Sequence, residues 1–163
     1  MTITVAEGIG VTNEQERKNL IGVAGEFLVA GELLRRGVHC SVTYGNAKKV
    51  DVVAFSQTTG RFIVLEVKTT SRREWIIGSN VPEPSDKLWA FVFLPPEESQ
   101  PPQFFILSAL EINAFLGPQH EKYLQNFRIR NGREFVGPGV QNVTLKQAEP
   151  GRGQWQKVLD KLS

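Results

Sequence analysis

The chain has 163 residues, 40% of them hydrophobic and 22% charged, with a formal net charge of +2. That length suits one domain with a sizeable core. The composition excludes a disordered chain, and the charge leaves only local basic patches to meet nucleic acid. The single cysteine, Cys40, excludes an internal disulfide, "MTITVAEGIG" has no basic n-region, and no apolar run nears the ~18 residues of a membrane span, so the expectation is a soluble, cytoplasmic protein.

Residues 1 to 11 read as an arm, and "VTNEQERKNLIGVAGEFLVAGELLRRG" as a helix with a glycine stop. Thr12 and Gln15 resemble a capping box, Glu14 and Glu16 suit the first turn, and Arg35 and Arg36 suit the last. Leu20, Ala24, Phe27, Leu28 and Leu34 recur at helical spacing and form the expected apolar stripe. "VHCSVTY", "KKVDVVAF" and "RFIVLEVKTT" read as three strands, the last two joined through "SQTTG" as a hairpin. The stretch from Ser71 to Ala90 reads as irregular, with "SDKLWA" as a single helical turn. "LWAFVFL" and "QFFILS" follow as strands, and Ser108 caps a short helix over "ALEINAFLG". Residues 117–150 promise short strands at most, with an Asn-Gly hairpin in "RNGREF", and "GQWQKVLDKLS" places Trp155, Val158, Leu159 and Leu162 on one helical face. The organisation is one domain over 1–163, with a core at about 13–116 and a C-terminal extension at about 117–163.

The chemistry is concentrated in "FIVLEVKTT", where Glu66 and Lys68 interrupt a strand-like apolar run. Charges inside a sheet are costly unless they are paired or do chemistry. Glu66 and Lys68 are two residues apart and share a face, and the hairpin brings Asp51 opposite Glu66 or one place away. Ile63, Leu65, Val67, Val52 and Ala54 line the other face, so these strands are central. Two carboxylates that close repel, so removing either would relieve strain. A divalent cation also resolves the repulsion: Mg²⁺ accepts one or two carboxylates together with waters and substrate phosphates. Lys68 beside it can hold an attacking water or stabilise charge on phosphorus. The competing reading is a buried salt bridge, with Lys68 neutralising one acid. Glu26 has Gly22, Val23, Val29 and Ala30 as helical neighbours and is expected to point inward, toward these acids. Glu32 has Arg35 and Arg36 as neighbours and is expected to be a solvated surface acid.

Gly25-Glu26 on a glycine-ended helix, Asp51 on one strand and Glu66-Val67-Lys68 on the next resemble the PD-(D/E)XK nuclease superfamily. The likeness is to the branch that holds Holliday-junction resolvases and small restriction-endonuclease-like proteins. It implies an α/β fold with a restriction-endonuclease-like αβββαβ core, its mixed central sheet flanked by helices. Asp51, Glu66 and the Val67 carbonyl would bind Mg²⁺ (or Mn²⁺ in its place), Lys68 would orient the water, and Glu26 would support the metal through water. The activity implied is metal-dependent endonucleolytic hydrolysis of phosphodiester bonds, with DNA as the partner and a homodimer as the working unit. The alternative is a catalytically inactive nuclease-fold module that binds nucleic acid or a protein. Val50, not proline, precedes Asp51, and the helix that such a core has after the "EVK" strand is reduced here to "SDKLWA" or part of "SRREWIIGSN".

Lys48, Lys49, Arg72 and Arg73 flank these strands and are candidate contacts for a phosphate backbone. Trp75 is read as a packing residue before a base-stacking one. Lys87 lies before a strand and could approach the site in the folded domain, but is read as a surface residue first. His39, His120 and Cys40 have no functional pattern around them.

Overall fold

The computed structural model describes residues 13–43 and 51–163. Its first element is helix α1, Glu14–Arg35. Asn13 is the N-cap, its side chain accepting the Glu16 N–H at 2.7 Å. The Thr12 cap expected from the sequence lies outside the described residues. At the other end the Gly37 N–H bonds Leu34 O at 2.9 Å and the Val38 N–H bonds Leu33 O at 3.0 Å, while Gly37 takes the left-handed φ of 75°. This Schellman closure is the glycine stop read from the sequence.

The strands are β1 (His39–Val42), β2 (Val52–Phe55), β3 (Phe62–Thr70), β4 (Glu74–Gly78), β5 (Leu88–Phe93), β6 (Gln103–Ser108) and β7 (Gln141–Thr144). Five of them form a mixed sheet in the order β1-β2-β3-β5-β6. Neighbours are antiparallel except β3 and β5, which run parallel. The β2–β3 hairpin turns at Ser56–Arg61 as expected, with the Ser56 N–H bonded to Arg61 O at 2.9 Å.

Between β3 and β5 the expected helical turn is replaced by β4 and a loop. β4 pairs with β7 as a separate two-stranded sheet. Ile77, Trp75 and Val143 bury their side chains there, so an alternating strand won over the helical reading. The helix after β6 is also longer than expected. Helix α2 runs Ala109–Asn131, through Gly117 and Pro118. A proline inside a helix costs about 3 kcal/mol. The residues beyond it, from Gln119 to Arg130, are mostly good helix formers, and the Ser108–Glu111 capping box anchors the start. The Asn131-Gly132 pair is not a hairpin turn: Gly132, at φ 64°, ends α2 by bonding its N–H to Arg128 O at 2.8 Å. The chain closes with the one-turn helix α3 (Leu145–Ala148), a 3₁₀ turn at Glu149–Gly151 and helix α4 (Gln156–Leu162).

Both faces of the five-stranded sheet are covered. On one face α1 and α4 bury Val29, Leu33, Val158 and Leu162 against Val52, Leu65, Val67 and Ala90. Trp155 and, in part, Leu159 join them, as the spacing of the last helix predicts. On the other face α2, β4 and β7 bury Ile112, Leu116, Trp75 and Val143 against Trp89, Phe91, Phe105 and Leu107. The inward stripe of α1 differs from the expected one: Gly25, Val29, Ala30 and Leu33 are buried, whereas Leu20, Phe27 and Leu34 are about half exposed. Gly25 is the reason. A Cβ there would collide with the Thr69 side chain, so the helix backbone lies directly on β3 and the small residues mark the contact.

Candidate active site

The register of β2 and β3 pairs Val52 with Leu65. Asp51 stands just before this ladder, whose last pair is Val52 with Leu65. The ladder is irregular there: the Asp51 N–H bonds Leu65 O at 3.3 Å, although Leu65 is already the partner of Val52. Asp51 Oδ2 accepts the Val67 N–H at 2.7 Å, which fixes the aspartate across the strand ends. On the other side β5 pairs Glu66 with Trp89. Glu66 and Trp89 thus form one row across two strands. That row lies on the face away from α1, because its neighbours Leu65 and Leu88 belong to the α1 side.

Glu66 is 6% exposed, and with Gln141 it is one of two buried polar side chains among the described residues. Two ammonium groups neutralise it. Lys68 Nζ lies 3.1 Å from Oε1, and Lys87 Nζ lies 2.9 Å from Oε2. Both ammoniums also stand over the Trp89 ring, at 5.8 and 5.7 Å from its centroid, within cation–π range. Lys68 follows Glu66 by two residues and was legible as its neighbour. Lys87, read as a surface residue, belongs to the site. It directly precedes β5, and only the parallel β3–β5 pairing brings it beside Glu66.

Glu26 is half-buried on α1. Burial pushes its carboxyl pKa up, and the charge of Asp51 pushes it further in the same direction. Glu26 therefore lies within electrostatic reach of Asp51. Glu32 pairs with Arg35 at 2.8 Å and Arg36 at 2.5 Å as expected, but its side chain is only 18% exposed, so it is shielded by its partners rather than solvated.

Arg72 and Arg73 lie beyond β3 and line a cavity of about 680 Å³ together with Lys146 and Arg152. A second cavity, of about 450 Å³, contains Lys68, Thr70 and Arg72 with Arg17 and Lys18 from the start of α1. Lys48 and Lys49 lie outside the described residues. Trp75 is 1% exposed and donates its indole N–H to Val92 O at 2.9 Å, so it is a packing residue. His39 stacks on Phe55, His120 meets Gln141, and burial raises the Cys40 thiol pKa, which makes it a poor nucleophile.

Among the described residues no three His, Cys, Asp or Glu side chains gather into a metal cage. A Mg²⁺ site does not require one, since one or two carboxylates with waters and substrate oxygens suffice. Asp51 and Glu66 provide hard oxygen donors of that kind.

No family model matches the chain, and no curated protein sequence matches it. Among solved structures it is similar to that of a bacterial homing endonuclease, I-Ssp6803I, with a TM-score of 0.52 and 12% identity over 88% of this chain and 93% of that one. At this identity the likeness is one of fold: a mixed sheet flanked by helices, as in a nuclease. Among the described residues no helix is long and apolar enough to cross a membrane.

Proposed function

We propose that the chain is a metal-dependent endonuclease of the PD-(D/E)XK type that hydrolyses phosphodiester bonds, with DNA as its substrate and Mg²⁺ as its cofactor. The observation that carries this reading is buried Glu66 with Lys68 at 3.1 Å, and Asp51 bonded at 2.7 Å to the N–H of the next β3 residue, Val67, near a cavity whose lining includes Lys68, Arg17, Lys18 and Arg72. The fold it shares with a homing endonuclease supports it.

Asp51 and Glu66 would hold the metal, with the Val67 carbonyl beside them. When bound, Mg²⁺ supplies Lewis-acid stabilisation of the charge that builds on the phosphate oxygens. Lys68 holds the attacking water in line through its N–H groups and adds positive charge next to phosphorus. The Val67 N–H keeps Asp51 oriented from behind. Glu26, whose carboxyl pKa is raised by burial and by the charge of Asp51, supports the site through water. Arg72 and Arg73 take the phosphates that flank the cut, together with Lys48 and Lys49. The enzyme acts in the cytoplasm, and a homodimer would let two such sites cut two strands.

The net charge of only +2 favours a second reading, an inactive nuclease-fold module whose partner is nucleic acid or protein. Purified protein incubated with linear, branched and single-stranded DNA separates the two. The enzyme nicks or cuts one of these with Mg²⁺ or Mn²⁺ and stops on addition of EDTA, and Asp51→Ala and Lys68→Ala are both inert. A binding module retains DNA and cuts none of it.

A further inference from the structure

Glu66 presents a conflict with the metal it is expected to hold. Both of its oxygens are engaged, Oε1 by Lys68 and Oε2 by Lys87. A divalent ion that binds Glu66 must displace one ammonium or compete with it. Lys68 is the less movable of the two. It lies inside β3, which is hydrogen-bonded into the sheet, and is paired with Phe91 of β5. Lys87 precedes the first ladder pair of β5, Leu65 with Leu88, and its side chain is 36% exposed against 31% for Lys68.

We propose that Lys87 is a second catalytic lysine: it occupies Glu66 in the metal-free protein, yields its place to the divalent ion, and turns onto a non-bridging oxygen of the scissile phosphate. This rests on the nuclease reading of the site. Two observations support it besides the geometry at Glu66. Two ammoniums on one carboxylate leave one positive charge beyond what Glu66 needs. With the Asp51 carboxylate held at the adjoining Val67 N–H, the two acids and two ammoniums balance in the metal-free site and the metal-loaded site is cationic, which suits a phosphate carrying growing negative charge. Trp89 also gives the displaced ammonium a place to stay. Its ring lies 5.7 Å from Lys87 Nζ, so the side chain keeps a favourable contact while its N–H groups turn outward.

The test is a calorimetric titration of Mn²⁺ into the full chain, without DNA, for wild type, Lys87→Met, Lys87→Arg and Lys68→Met. Thermal melts in EDTA confirm that each is folded. Removing a unit charge about 5 Å from a divalent ion strengthens its binding on the order of ten-fold. Lys87→Met is therefore expected to bind Mn²⁺ about ten-fold more tightly than wild type. Lys87→Arg, whose guanidinium grips a carboxylate through two N–H groups, is expected to bind it more weakly. Lys68→Met, which leaves Lys87 in place, gains less than Lys87→Met. At saturating Mn²⁺ the Lys87→Met variant cuts DNA on the order of 10²-fold more slowly. A lysine with a purely structural role would not order the metal affinities in this way. The proposal is overturned if Lys87→Met binds Mn²⁺ no more tightly than wild type, or if Lys68→Met gains more. Should Lys87→Met fail to fold, a Lys87→Arg affinity equal to that of wild type overturns it. A wild-type protein that takes up no Mn²⁺ defeats the metal site itself, and this proposal with it. A wild-type protein that binds Mn²⁺ while the variants do not differ defeats the role of Lys87 alone.

Discussion

Replacing Glu66 by glutamine keeps the shape of the side chain and removes its charge. On sequence grounds the change should relieve repulsion from Asp51 and stabilise the protein. The structure reverses that sign, because Glu66 carries two ammonium partners at 3.1 and 2.9 Å. Removing one member of a buried ion pair costs about 3–5 kcal/mol, chiefly because the other charge is left uncompensated. The Lys68 and Lys87 side chains remain 31% and 36% exposed and can turn toward water, which reduces the cost to about 2 kcal/mol. For a chain of this size that corresponds to a fall of roughly 4–8 °C in Tm. The assay is thermal unfolding in EDTA, followed by circular dichroism, for Glu66→Gln alone and combined with Lys87→Met. The double variant should lose less than the sum of the two single ones, since the unpaired lysine is no longer there. A Glu66→Gln protein that melts at or above the wild-type temperature would refute this reasoning and show that repulsion between the acids dominates.

Gly25→Ala should destabilise the fold by about 1–3 kcal/mol, because the added methyl meets Thr69 under α1; Gly31→Ala, on the same helix with open space around it, should gain up to about 1 kcal/mol, and urea melts of the pair check both. Burial and Asp51 raise the Glu26 pKa, so the folded state holds that proton at a pH where the unfolded state has lost it. Stability therefore falls as pH rises through and above the usual carboxylate range, and Glu26→Gln should be more stable than wild type at neutral pH, an advantage that disappears in acid; melts across pH measure it. Glu111 behaves oppositely: burial pushes its pKa up, but the bonds from Lys157 and Ser108 outweigh it and leave the pKa lowered. Its contribution is present above the usual carboxylate range and lost as pH falls below it, so Lys157→Met should flatten the acid side of the stability profile.

What was legible beforehand was mostly local. The β2–β3 hairpin, the Gly37 stop, the Ser108 cap and the buried face of α4 follow from patterns within a few residues. What was not legible depended on distant partners. Large apolar side chains lie on the exposed face of α1, because the close packing against Thr69 demands a glycine, Gly25, on the buried one. The five residues of β4 find their partner in β7, more than sixty positions on, which no window around "EWIIG" can reveal. The helix read over "ALEINAFLG" ends at Gly117, whereas Gly132, fifteen residues later, is the actual stop. Lys87 could be seen as able to approach the site but was ranked as a surface residue, because parallel pairing of β3 with β5 requires a crossover and its nearness to Glu66 is not written in sequence separation.

The central claim is that Asp51 and Glu66 hold a divalent metal, and the most direct measurement is a crystal of the protein soaked in Mn²⁺ and examined for anomalous density. The account predicts a peak between the two carboxylates, within about 2.0–2.3 Å of an oxygen of each, with Lys68 still beside Glu66 and Lys87 moved off Oε2. A map with no peak at that position, and both lysines still bonded to Glu66 at saturating metal, would contradict it and leave the cluster as a buried ion pair within a nuclease-like fold.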